Sequence, residues 1–370
     1  MSPRQRGPQP HRGGPQPQPQ QQRGPASSVA GGPPAPLPAP DECATLTPLI
    51  AAIEKIRNSR VIVYWTSPAA KVSAGVAMSL YDQLVAIGKT ERIDLVLLTN
   101  GGDTDAPWRI VSLIREFCDH FGVLLPHQAM SAGTAISLGA NEIIMTPLSV
   151  LGPIDPSRSH PLLPRREGSE EAEPISVQDM RHAMKFIREA AGSDKEMPYT
   201  PEAMAQIFTA LFEKIHPLAI GAIEQSYALS KLVGKQCLGT HMDPVNDKEK
   251  ISAIVDKLCD DFKYHGYQIG RKEARQVGLN AVDAPDDVDL ALRNLFMFYA
   301  KRPMTPDPFP RSGNFFNHIA WLDSTALRFR CVSQNVIDGD NAKFVGDQWL
   351  AYSDPEPEAK ETAPEGGEAG

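Results

Sequence analysis

A serine set just before Ala-Gly, a Gly-Gly pair and a Gly-Pro-Ile-Asp-Pro turn are the residues of this chain best suited to chemistry. They occur in Leu95-Val-Leu-Leu-Thr-Asn-Gly-Gly102, Gln128-Ala-Met-Ser-Ala-Gly-Thr134 and Leu151-Gly-Pro-Ile-Asp-Pro156. The first reads as a buried strand that breaks at glycine. The second places Ser131 where a glycine-containing turn gives way to an apolar helix, and the third is a rigid turn. This layout suits a serine nucleophile that attacks a carbonyl whose developing oxyanion is held by backbone N–H groups. At a helix N-terminus the dipole favours negative charge. The plainer role for the same serine is a helix cap, its oxygen satisfying an open backbone N–H. Gly101 and Gly102 allow positive φ and close approach of a substrate, and Asn100 beside them tolerates unusual dihedrals.

The elements that must position these residues alternate strand and helix. The pattern predicts an apolar helix near Leu46 to Ile56, a β-branched strand at Arg60 to Trp65, a helix around Gly75 to Ile87 and a strand at Ile93 to Leu98. Ile110, Leu113, Ile114 and Phe117 then recur at helical spacing, so that helix packs one face on a sheet. Strands are predicted at Val123 to Leu125 and Glu142 to Met145, with the helix after Ser131 between them. Repeated β-α units with short apolar strands predict an α/β fold with a mainly parallel sheet covered by helices. Further helices are expected at Val177 to Ala190, Pro201 to about Val233 with a bend at Pro217, Asp247 to Phe262 and Pro285 to Tyr299.

Composition bounds the rest. The chain has 370 residues, of which 41% are hydrophobic, enough for a packed core. Residues 1–42 are rich in Pro, Gln and Gly and predict a disordered tail; residues 353–370 are acidic and predict another. Residues 43–302 read as the folded domain, with 157–174 as an exposed loop. Residues 303–352 form an irregular, aromatic-rich extension expected to fold back on the core or cover a subunit contact. The five cysteines, Cys43, Cys118, Cys237, Cys259 and Cys331, are scattered without a C-x-x-C pair, which fits a reducing cytoplasm and gives no zinc or redox site. No apolar run reaches the roughly 18 to 20 residues that span a bilayer. A net charge of −8 argues against nucleic acid as the main partner. No cofactor is expected.

The block from about Val61 to Val282 resembles the serine dehydrogenase proteinase family, which groups with the Clp-type and signal-peptide-peptidase-A-type peptidases. Thr99-Asn-Gly-Gly102 resembles a Thr-Pro-Gly-Gly turn, with Asn100 in the place of proline. Pro126-His-Gln-Ala-Met-Ser-Ala-Gly-Thr134 resembles the nucleophile segment, and Leu151-Gly-Pro-Ile-Asp-Pro156 follows at the right distance. Tyr264-His-Gly-Tyr-Gln-Ile-Gly-Arg-Lys-Glu-Ala-Arg-Gln-Val-Gly-Leu-Asn280 resembles the segment that closes the peptidase core. The resemblance implies a Clp/crotonase-like spiral fold, Ser131 as nucleophile, the N–H groups of Gly102 and Ala132 beside Gly101 as oxyanion hole, peptide substrates and a homo-oligomer.

The base is open at this stage. Clp-type peptidases have a histidine about where this chain has Gly152-Pro-Ile-Asp155. The resemblance puts His265 near the site, and imidazole is chemically suited to take a serine proton at neutral pH. His127 is nearer in sequence. Signal-peptide-peptidase-A-type enzymes use a lysine instead, which must be desolvated to act at neutral pH. Lys214 borders the apolar stripe Ile207, Leu211, Ile215 and Leu218, whereas Lys185 lies on the polar side of its helix. Asp155 could orient a base, but reads first as a turn-former, and Tyr64-Trp65-Thr66 could line the cleft or simply be buried. The expected function is an ATP-independent serine peptidase acting through an acyl-enzyme on Ser131. The alternatives are a catalytically silent scaffold of the same fold and a crotonase-like acyl-CoA enzyme.

Overall fold

In the computed structural model, residues 40–158, 175–176, 180–183, 185–186, 189, 200–262, 264–302, 304, 313–338 and 341–352 are described. Of the expected tail at 1–42, residues 1–39 lie outside them and 40–42 are instead the start of a helix; the expected tail at 353–370 and most of the loop at 157–174 also lie outside.

The sheet explains the apolar runs. Strands β1 (Arg60–Thr66), β2 (Thr90–Leu98), β3 (Cys118–Leu125), β5 (Glu142–Met145) and β9 (Ala281–Asp283) lie parallel and side by side in that order. Strands β4 (Gln128–Ala129) and β6 (Val150–Leu151) form a small parallel pair beside Ser131, and β7 (Ser157–Arg158) and β8 (Ile175–Ser176) a small antiparallel one. Alternate residues of the main strands enter two different cores. Ile62, Tyr64, Leu95, Leu97, Val123 and Leu125 pack into one. Val61, Val63, Trp65, Val96, Leu124 and Ile144 pack into the other. A strand buried on both faces has no polar side to show, which is why these segments read as continuous apolar runs.

Helix α1 (Pro40–Arg57) and the late helix Asp286–Ala300 cover the second face. Helices α2 (Ala77–Ile87), α3 (Ala106–Arg115) and α4 (Ala132–Ser137) cover the first. The helix predicted across Pro201 to Val233 is in fact two, α5 (Pro201–Lys214) and α6 (Pro217–Leu238). The break falls where Pro217 removes a backbone donor, and His216 caps the new start by accepting from the Leu218 N–H through Nδ1 at 3.1 Å. Helix α7 (Lys248–Asp256) continues into a π-helical turn, Lys257–Asp261, and α8 (Arg271–Val277) and α9 (Asp286–Ala300) follow. Between 177 and 190, the described residues 180–183, 185–186 and 189 are helical.

The extension is not irregular. It forms three long antiparallel strands, β10 (Gly313–Asp323), β11 (Arg328–Asp338) and β12 (Asn341–Ala351), and β10 pairs with β1, extending the sheet to eight strands. A register shift between His318 and Ala320 flips the inward alternation halfway along β10, and a second interrupts β11 against β12. Bulges of this kind erase the period-two signal that would have marked the strands. Tyr64 and Trp65 are core residues, 2% and 4% exposed, Tyr64 tilted against Trp349 and Trp65 stacked on Tyr299.

A buried polar knot fastens the extension to α9. Asp323 is fully buried and accepts hydrogen bonds from Tyr299 Oη at 2.6 Å and Tyr352 Oη at 2.9 Å, with Arg302 Nη1 at 3.9 Å. Replacing Asp323 with alanine strands a buried guanidinium and two phenols, and denaturant unfolding is expected to show a loss of about 3–5 kcal/mol. Nearby, burial pushes the His318 imidazole down to about 4, with Arg330 and Arg302 adding repulsion. The unfolded chain therefore binds the proton first, so stability falls as pH drops from about 6.5 to about 4. His318→Gln should flatten that slope in urea melts across this window.

The carboxyl ends of β1, β2, β3 and β5 all open on the same side, and the turns after them carry the motif residues. In an open α/β sheet this is where ligands bind. Charged residues gather at the other end, where buried Asp94 accepts from Arg57 Nε at 3.0 Å and Ser59 Oγ at 2.9 Å.

Candidate active site

Ser131 stands at the N-cap position of α4 with φ 49° and ψ −108°, yet its side chain makes no capping bond. Positive φ at a non-glycine residue costs energy and persists only where the surroundings fix it. Here they do. Thr99 N–H donates to Gln128 O and Met130 N–H to Thr99 O, both at 3.0 Å, and Gly133 N–H closes the turn on Met130 O at 2.8 Å. Thr134 Oγ1 donates to Ala129 O at 2.8 Å and accepts from Gly152 N–H at 2.9 Å, tying the Gly-Pro-Ile-Asp turn to the serine turn.

The Gly-Gly pair is held against Ser131 from the other side. Val72 N–H donates to Gly101 O at 2.9 Å and Asp103 N–H to Val72 O at 2.8 Å. Gly101 has φ +110°, and a Cβ on it would lie 2.9 Å from the Ser131 Cβ; a Cβ on Gly102 would run into the Val72 backbone. Both positions therefore require glycine. The Gly101 N–H is taken by Thr99 Oγ1 at 3.0 Å. Among the described residues, the N–H groups of Gly102 and Ala132 have no hydrogen-bond partner.

His265 and Ser131 line one cleft of about 640 Å3, together with Gly101, Gly102, Lys71 and Asp103. The imidazole Nδ1 lies 3.0 Å from Asp155 Oδ1, and the Asp155 side chain is 1% exposed. A carboxylate can only accept, so Nδ1 is the donor in this bond, and in the neutral imidazole Nε2 then carries the lone pair. Three backbone bonds bring these distant segments together: Leu151 and Ile269 exchange N–H···O bonds of 3.0 and 2.8 Å, and Ile154 N–H donates to Leu258 O at 3.1 Å. The π turn ahead of His265 is further tied to α6. Burial alone would raise Asp260, but Tyr227, Lys231 and Arg181 hold its carboxyl below the usual range.

The other predicted bases lie elsewhere. The His127 ring packs near Phe296, with centroids 5.6 Å apart, and does not line this cleft. Lys185 is exposed and pairs with Glu189 at 3.5 Å. Lys214 ends α5, and its side chain lies outside the described residues. Asp155 is no mere turn-former, since its carboxylate meets His265. Sequence reading also missed Lys71, Asp103 and Asp105 on the cleft wall. Partial burial and neighbouring Asp105 raise the Asp103 carboxyl above its usual range, against Lys71. The signal for the two aspartates was their place immediately after Gly-Gly.

Residues 80–190 match the family of ClpP-like SDH-type serine proteinases. That stretch includes Gly101, Gly102, Ser131 and Asp155, while His265 lies beyond it. Two uncharacterized proteins of Methanocaldococcus jannaschii are also similar. One is 42% identical over 71 residues, 19% of this chain and 25% of its own. The other is 35% identical over 117 residues, 29% of this chain and 40% of its own. The chain thus spans less than half the length of these relatives. Among solved structures, a mutant membrane-bound stomatin-specific protease aligns with 62% of this chain and 82% of its own at 18% identity and TM-score 0.33. ClpP1 from Listeria monocytogenes aligns with 64% of this chain and 98% of its own at 15% identity and TM-score 0.30. Among the described residues, no helix is long and apolar enough to cross a membrane.

Proposed function

We propose that this chain is a serine peptidase that hydrolyses peptide bonds, without ATP or a cofactor, through an acyl-enzyme on Ser131. One observation carries the reading: a serine held in a strained turn shares a cleft with a histidine whose far nitrogen is bonded to a buried carboxylate. Ser131 Oγ attacks the carbonyl carbon while His265 Nε2 takes its proton. The carbonyl oxygen becomes an oxyanion between the Gly102 and Ala132 N–H groups, worth about 10²–10³ in rate for one such donor. As the C–N bond breaks, His265 returns the proton to the leaving amine. Water then attacks the ester, losing its proton to His265, and the acid departs with Ser131 regenerated. Asp155 fixes the tautomer and stabilises the imidazolium, which makes His265 the base in preference to Lys214.

The reading extends to a homo-oligomer acting on peptides in the cytoplasm. Met78, Tyr81 and Val85 support assembly, since they form an exposed apolar stripe at helical spacing on α2. The function is tested by incubating the full-length protein with casein and no nucleotide, and following new amino termini. Release above a heat-inactivated control supports a peptidase. No release would leave the alternative of a silent scaffold of the same fold.

A further inference from the structure

Beside the main cleft, a second and much smaller cavity of about 10 Å3 opens directly onto Ser131. It touches Gly102 and Ala132 as well, the same residues whose N–H groups would receive the oxyanion. A peptide whose carbonyl oxygen sits between those two groups has the side chain of the residue supplying that carbonyl only two bonds away. The main cleft reaches Ser131 and Gly102 but not Ala132, whereas this cavity touches all three, which makes it the recess on the side where that side chain would enter.

The recess is about the size of one water, and its walls mix apolar residues with the hydroxyl side chains Thr104, Ser131 and Ser230. A cavity of about 10–15 Å3 measured this way holds a single water-sized group, which is also the bulk of a methyl or hydroxymethyl. Its walls include Ala132 and Ala135 from α4, Pro107 from α3, Ile154, and Val233 from α6. Ala132, Ala135, Ile154 and Val233 are 3–6% exposed, so they are packed from behind and cannot swing away. Of the three hydroxyl residues, Ser230 spends its hydroxyl on Ile154 O, and Thr104 is half-buried and lines the main cleft as well. Helix α6 is also pressed close at this level, because a Cβ on Gly234 would lie 3.2 Å from both Ile154 Cδ1 and Val255 Cγ2. Widening the recess therefore means repacking α6 against the turn that carries Asp155, and interiors this dense resist added volume.

We infer that the chain selects substrates with alanine or serine as the residue supplying the scissile carbonyl, and that Ala135 and Val233 set this limit. The inference rests on the serine-peptidase reading of Ser131. Larger aliphatic and aromatic residues at that position are excluded by volume, not by charge.

The test uses the full-length protein and a peptide set identical except for the acyl residue: Gly, Ala, Ser, Val, Leu or Phe. Products are mapped by mass spectrometry, and Ser131 labelling by a fluorophosphonate is followed in parallel. Alanine and serine peptides should be cleaved at least about tenfold faster in kcat/KM than leucine and phenylalanine peptides, the scale on which a small apolar pocket discriminates. Val233→Ala should bring valine and leucine peptides up. Ala135→Val should slow alanine cleavage while Ser131 remains labelled, which separates a filled pocket from a misfolded chain. Equal or faster cleavage after leucine or phenylalanine with Ser131 labelled would overturn the size rule and leave the peptidase reading standing. Absence of label on Ser131 would remove both.

Discussion

Replacing Ser131 with alanine is expected to lower kcat/KM for peptide hydrolysis by about 10⁴–10⁶-fold, with the fold intact. The magnitude follows from the role. Without the hydroxyl no acyl-enzyme forms, and only the amide cradle and substrate binding remain to help water attack. The substitution should not cost stability, because Ser131 makes no capping bond and sits at φ 49°. Alanine retains that strain, so the denaturation midpoint should move little. Progress curves with the wild type and the variant, each checked by circular dichroism, give the ratio. A variant that still hydrolyses peptides at a tenth of the wild-type rate would rule out covalent catalysis at this residue.

Asp155→Asn should be nearly as damaging to turnover, by about 10⁴-fold, with a smaller change in KM. An amide can donate to Nδ1 and so favours the imidazole tautomer with its proton on Nε2, the wrong nitrogen for accepting from serine. The shape is conserved, so the cleft should still bind peptide. A purely structural role for Asp155 predicts a different result, in which stability falls and the surviving folded fraction turns over normally. Comparing kcat with the folded fraction, measured by fluorophosphonate-independent unfolding, distinguishes the two.

What could be read before the fold was known divides along physical lines. Strand β5 was legible to the residue, and β1 and β2 nearly so, because parallel strands buried on both faces leave uninterrupted apolar runs. The turns at Ser131 and at Gly101-Gly102 were legible because turn chemistry is local. The Asp155 contact with His265 was not, since it joins residues 110 apart through the Leu151–Ile269 bridge, and no local pattern records that. The β10 to β12 extension was hidden for another reason. Its bulges break the alternation, and polar residues such as Asn317 and His318 fall within the strand. The π turn at Lys257–Asp261 was read as plain helix, because one extra residue per turn leaves no mark in composition.

Everything proposed depends on the Ser131 oxygen being an activated nucleophile. The most direct measurement is peptide mapping of the folded, full-length protein after reaction with a fluorophosphonate. One stoichiometric adduct is expected on Ser131, lost on prior unfolding and greatly slowed in His265→Ala. A folded protein that takes up no label at Ser131, or labels there equally fast without His265, would contradict that activation.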